Sequence, residues 1–145
     1  MFDALKHAHS GLRWVVLALL LYAIYNAYSG WKSGRSYADS DRKVNLFTMI
    51  SAHIQLLIGL VLWIMGGRFN INGDVMKDAA LRFFAVEHFT LMLIAIILIS
   101  IGNGKAKRAA EDVKKFKSSF WFFLIGLVLI LVAIPWPPKY GAGWF

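Results

Sequence analysis

Residues 44–66 read VNLFTMISAHIQLLIGLVLWIMG, an uncharged run with a single histidine, His53, near its middle. At a rise of 1.5 Å per residue, a helix of this length crosses a hydrocarbon core of about 30 Å. Three further apolar stretches, 13–31, 83–102 and 119–135, approach the same length, and together the four fill most of the 145-residue chain. The expected fold is all-α: an integral membrane four-helix bundle running up-down-up-down, one domain over residues 1–145. The connecting segments are too short to build a core of their own, so any chemistry belongs in the bundle or at its edge.

Composition narrows that chemistry. Hydrophobic residues make up 59% of the chain, well above a soluble domain of this size. Cysteine is absent, which excludes disulfides, thiolate metal sites, iron–sulfur clusters and covalently attached c-type haem. Ligands must come from histidine, carboxylate or backbone. The net charge of +8 would suggest nucleic acid in a soluble protein, but here the basic residues flank the spans and face membrane lipids. No nucleic-acid partner is expected.

Orientation follows from lysine and arginine. The first and third loops hold ten of the sixteen: Lys32, Arg35, Arg42 and Lys43, then Lys105, Lys107, Arg108, Lys114, Lys115 and Lys117. Short basic loops stay cytoplasmic, which puts both termini outside together with the loop 67–82. Met1 to Ser10 contains Asp3 and no small-residue cleavage pattern follows cleanly, so the first span is expected to be retained. Trp14, Trp31, Trp63, Trp121 and Trp136 fall near span ends, where indole rings anchor at the interface.

The informative groups are the polar ones inside the spans. Glu87 is the single acidic residue in any of them and adjoins His88 near the outer end of the third. His53 shares a helical stripe with Met49, Leu56, Leu57 and Leu60, with Gln55 directed largely away. His9 precedes the first span. A histidine in hydrocarbon is costly and marks a function or a cross-helix hydrogen bond. Two neutral imidazoles from facing helices can ligate one haem iron in a bundle core.

Measured from span centres by helical rise, His88 lies about 7 Å outward and His53 about 3 Å inward, while His9 lies about 10 Å further out than His88 unless the first helix continues above the membrane. On this basis the pair His53 and His88 ranks first, and His9 with His88 second. Arg13 and Arg82, at outer span ends, are candidates to hold haem propionates. Glu87 is a candidate interhelical hydrogen-bond donor, imidazole-orienting group or proton exchanger beside a quinone. Tyr22, Tyr25, Asn26 and Ser29 read as an interhelical hydrogen-bonding seam, and Gly59 and Gly126 as points of close helix approach.

Four motifs carry a family resemblance: His9-Ser10-Gly11-Leu12-Arg13-Trp14, Ser51-Ala52-His53-Ile54-Gln55-Leu56-Leu57-Ile58-Gly59, Glu87-His88-Phe89 and Ile134-Pro135-Trp136-Pro137. In these the chain resembles short bacterial four-span membrane proteins usually labelled cytochrome b. The resemblance implies one haem b, residence in the bacterial inner membrane with periplasmic termini, and electron transfer with quinones or a respiratory partner, as a subunit of an assembly or a homodimer. Better-studied membrane cytochromes hold two haems on four spanning histidines, whereas this chain has only His53 and His88 well inside its spans. Two other readings stand beside it: an accessory scaffold subunit whose histidines lock helices together, and a metal or proton translocating protein with a relay through His9, His53, Glu87 and His88. A stand-alone enzyme is not expected, since no nucleophile constellation is recognisable.

Overall fold

The computed structural model describes residues 1–137 and 139–141. Helix α1, Phe2–Ser33, ends where Gly34 takes a left-handed φ of 66°, a conformation glycine adopts without a side-chain penalty. Helix α2, Asp39–Met65, starts where the Asp41 carboxylate accepts the Ala38 N–H at 2.8 Å. Two short helices follow on the outer loop: α3, Gly73–Lys77, capped by Asn72, and α4, Ala79–Arg82, capped by Asp78. Then come a π turn at Phe83–Glu87, helix α5, His88–Arg108, and helix α6, Asp112–Ala133. The prolines at 135 and 137 keep α6 from continuing, and a 3₁₀ turn spans Lys139–Gly141.

Four helical runs are long and apolar enough to cross a membrane: Phe2–Ser33, Asp39–Met65, Ala79–Arg108 and Asp112–Ala133. The chain is therefore a multi-pass helical membrane protein, with α4, the π turn and α5 forming one run. The first helix begins well before the expected boundary at Arg13, because hydropathy marks only the apolar part of a helix that continues to Phe2.

Each long helix packs against two others, in the cyclic order α1, α2, α5, α6. The inward residues recur at alternating steps of three and four. They are Arg13, Val16, Leu20, Ala23, Ala27 and Gly30 on α1, and Phe116, Ser119, Phe123, Gly126, Ile130 and Ala133 on α6. On α5 the buried positions Ala95, Ile99, Gly102 and Ala106 keep the same rhythm, as do Asp41, Asn45, Thr48 and Ala52 on α2. Such a 3.5-residue period is that of a left-handed bundle seam. Many of these residues are small or polar, while Leu21, Leu57, Ile97 and Val132 face outward. That inversion of a soluble bundle suits hydrocarbon, where close packing and hydrogen bonds, not apolar burial, hold helices together. Gly126 bears this out: a Cβ there would lie 3.0 Å from Ile99 Cγ1 and 3.3 Å from the Ala95 carbonyl.

A polar network closes the α1–α2 pair at the turn between the two helices. Asp41, 2% exposed, accepts from Arg35 Nη1 and Nη2 and from Asn26 Nδ2, each at 2.7 Å. Asn45 donates to Ser119 Oγ at 2.7 Å and to the Tyr37 hydroxyl at 3.1 Å, tying α2 to α6. Burial pushes the Tyr37 phenol up to about 12, so it stays neutral there. Of the expected tyrosine seam only Asn26 points into this network; Tyr22 and Tyr25 lie on the exposed face of α1. Replacing Asp41 with Ala strands the Asn26 amide and the Arg35 guanidinium. Unfolding in mixed micelles is expected to show a loss of about 2–4 kcal/mol, with a smaller loss for Arg35→Lys.

Candidate functional site

At the end of the bundle where α1 begins and α2 ends, α1, α2, α5 and the segment after α6 surround a cavity of about 500 Å³. His9 from α1 and His88 from α5 line it with their ring centroids 6.3 Å apart and their planes 72° from parallel. Both continue the buried seams, each four residues before the seam residue of its helix, Arg13 or Met92. Gln55 and Gly59 line the same cavity from α2, extending that helix's inward stripe past Ala52 at steps of three and four.

Prolines free two carbonyls at the end of α6, and one of them fixes the His88 ring. An α-helix would satisfy the carbonyls of Leu131 and Ala133 with the N–H groups of residues 135 and 137, but both are proline and have none. Trp136 Nε1–H donates to the Leu131 carbonyl at 2.9 Å, and His88 Nδ1 meets the Ala133 carbonyl at 2.7 Å. A carbonyl only accepts, so Nδ1 of His88 carries the proton and Nε2 keeps its lone pair. The preceding π turn helps to aim this ring. It inserts a residue relative to α-helical winding, and the Ala85 carbonyl within it accepts Trp63 Nε1–H at 2.9 Å.

His9 is admitted by a missing side chain. A Cβ on Gly59 would lie 2.9 Å from His9 Cε1, so the glycine makes room for a ring and not for a backbone approach. Gln55 Nε2 donates to the His9 carbonyl at 2.8 Å. Among the described residues His9 Nδ1 and Gln55 Oε1 are buried with no hydrogen-bond partner, a cost that points to a ligand in the cavity. Three cations also line it: Lys6, which pairs with Asp3 at 3.0 Å, and two arginines. Arg13 is 9% exposed and lies over the Trp14 ring. Arg68, from the loop after α2, stacks on Phe84, and burial lowers its pKa from the ordinary guanidinium value. Tyr140, held at a left-handed φ of 57°, packs on Phe83 and lines the cavity.

The structure separates the other expected site residues from this cavity. His53 lies on the exposed side of α2, its Nδ1 2.8 Å from the Met49 carbonyl and its Nε2 3.4 Å from Ser100 Oγ. Ser100 is twelve residues beyond His88 on α5, about 18 Å along the axis. The residue that faces inward is Gln55, the reverse of the expected stripe: Thr48, Ala52, Gln55 and Gly59 form the α2 seam, and His53 falls between them. Arg82 is engaged elsewhere, donating from Nε to Glu87 Oε1 at 2.9 Å and from Nη1 to the Met76 carbonyl. Neither Arg82 nor Glu87 lines the cavity; Arg68 supplies the second arginine instead. Among the described residues no group of three or more His, Asp or Glu could hold a metal ion.

No protein-family model, no curated protein and no solved structure matches this chain.

The two spanning histidines should differ in stability. In His88→Ala the Ala133 carbonyl loses its donor in a region without water, at a cost of about 1–3 kcal/mol. In His53→Ala the Met49 carbonyl keeps its helical N–H, so the loss is expected to stay below about 0.5 kcal/mol. Unfolding titrations of the two variants in one detergent compare them directly, and equal losses would refute the capping role of His88.

Proposed function

We propose that this chain is a membrane-embedded b-type haem electron-transfer protein with one haem b between His9 and His88. The observation that carries the reading is the pair itself. Two imidazoles on opposite sides of one metal ion, each nitrogen about 2 Å from it, have ring centroids about 6 Å apart, and His9 and His88 stand at 6.3 Å. The remaining residues suit the same cofactor. The cavity volume of about 500 Å³ falls in the range of cofactor pockets, roughly 300–1,000 Å³. Phe84, Phe89, Met92 and Ile96 provide apolar walls, and Arg13 and Arg68 would hold the two propionates. The Nδ1–H bond from His88 to a carbonyl orients the ring and makes Nε2 more basic, as metal-bound histidines require. Haem b would supply one-electron exchange at its iron; the protein's part is to fix the axial ligands, neutralise the propionates and exclude water.

Alternation of the spans is part of this reading. Gln55 reaches the His9 carbonyl, Thr48 the Leu19 carbonyl at 3.4 Å, and Asn26 reaches Asp41, an antiparallel order for α1 and α2. Trp63 to Ala85 and Asn103 to Met49 give α5 the opposite sense to α2. With the basic first and third loops cytoplasmic, the cavity and both termini face the outside of a bacterial inner membrane, where a respiratory partner or a second copy would exchange electrons. One observation favours the scaffold reading instead: His88 already has a structural task in capping Ala133.

Absorption spectra of protein purified in mild detergent from haem-supplemented cells, with a pyridine haemochrome assay, decide between the two. About one haem per chain is expected, with sharp reduced bands lost in His9→Ala and in His88→Ala and kept in His53→Ala. A colourless preparation would leave the scaffold reading. An undisturbed low-spin spectrum in His9→Ala would remove His9 from the site.

A further inference from the structure

The histidine outside the cavity faces a second one. Between α2 and α5 lies a shallow cleft of about 510 Å³, walled by Leu56, Leu93, Ile97 and Ile101, with His53 and Ser100 at its polar point. Both sit within the apolar runs, well away from the helix ends. The hydrogens there are already committed. His53 Nδ1 lies 2.8 Å from the Met49 carbonyl, an acceptor, so the proton is on Nδ1 and Nε2 is bare. The Ser100 hydroxyl donates to the Ile96 carbonyl at 2.8 Å, so its oxygen meets Nε2 at 3.4 Å with no hydrogen between them. A cation, Arg108, also lines the cleft, but its guanidinium lies over Gly104, a turn further along α5 from Ser100.

Two acceptors therefore open onto hydrocarbon with no free donor hydrogen among the described residues. An unpaired imidazole nitrogen is costly in that medium, and acyl chains bring no O–H or N–H to this depth. We infer that the α2–α5 cleft binds a lipid-soluble phenol or hydroquinone, whose ring hydroxyl donates to His53 Nε2 beside Ser100 Oγ while its apolar body lies along the Leu and Ile walls. The same accounting sets the selectivity. A quinone or an aryl ether offers only acceptors to two acceptors, so the hydroxyl form is preferred. This assignment does not depend on haem in the outer cavity, since it rests on different side chains.

The test uses the full-length protein in phosphatidylcholine nanodiscs with a long-chain alkylphenol and its O-methyl ether, neither of which exchanges electrons with a haem. Equilibrium binding should favour the phenol about tenfold, the loss expected when a buried acceptor goes unpaired. The preference should vanish in His53→Ala and persist in Ser100→Ala, a variant that leaves the imidazole in place. Equal affinity for phenol and ether, absence of binding by both, or a preference that survives His53→Ala would each overturn the assignment. Because the readout is ligand binding, a colourless protein that still prefers the phenol would sink the haem reading alone.

Discussion

Polar groups in these spans need a partner from the protein or from a bound molecule, because hydrocarbon supplies none. The rest of the structure depends on that constraint. It turns the small and polar residues of each long helix inward along seams stepped by three and four, and leaves leucine, isoleucine and valine to face lipid. It brings Asn45 to Ser119 and Thr48 to a carbonyl of α1. It also explains the end of α6, where two prolines free two carbonyls and two aromatic N–H groups take them.

The cavity lined by His9 and His88 is a product of the same seams. His9 and His88 extend the inward stripes of α1 and α5 by one step, so the helices that pack closely lower down carry the two rings to one place. Gly59 opens the space for one ring, and the π turn and the Ala133 carbonyl fix the other. Arg13 and Arg68 add positive charge to a cavity with apolar walls, which gives it a preference for an anionic, largely apolar occupant.

Much of this was legible before any coordinates. Four apolar runs of spanning length, basic first and third loops and proline after the last run define a helical membrane protein. His9, His88 and Arg13, expected as site residues from the sequence, line the cavity. Gln55 and Arg68 were not assigned to the site. His53 and Gln55 are two positions apart, about 200° around a helix, so one faces inward when the other faces out. Choosing between them requires the step pattern of Thr48, Ala52, Gln55 and Gly59, in which the small and amide residues mark the buried side.

Depth was misjudged for a different reason. Hydropathy locates the apolar part of a helix, not its ends, and α1 continues to Phe2, so His9 stands level with His88 and not above it. The sequence by itself determined the solvent this chain needs, its helices and the kinds of side chain available for chemistry, because those follow from length, hydropathy and the absence of cysteine. Only the tertiary structure decided which histidines meet, which arginines join them and which one is left facing lipid. Those outcomes depend on helix rotation and vertical register, which are set by contacts between residues far apart in the chain.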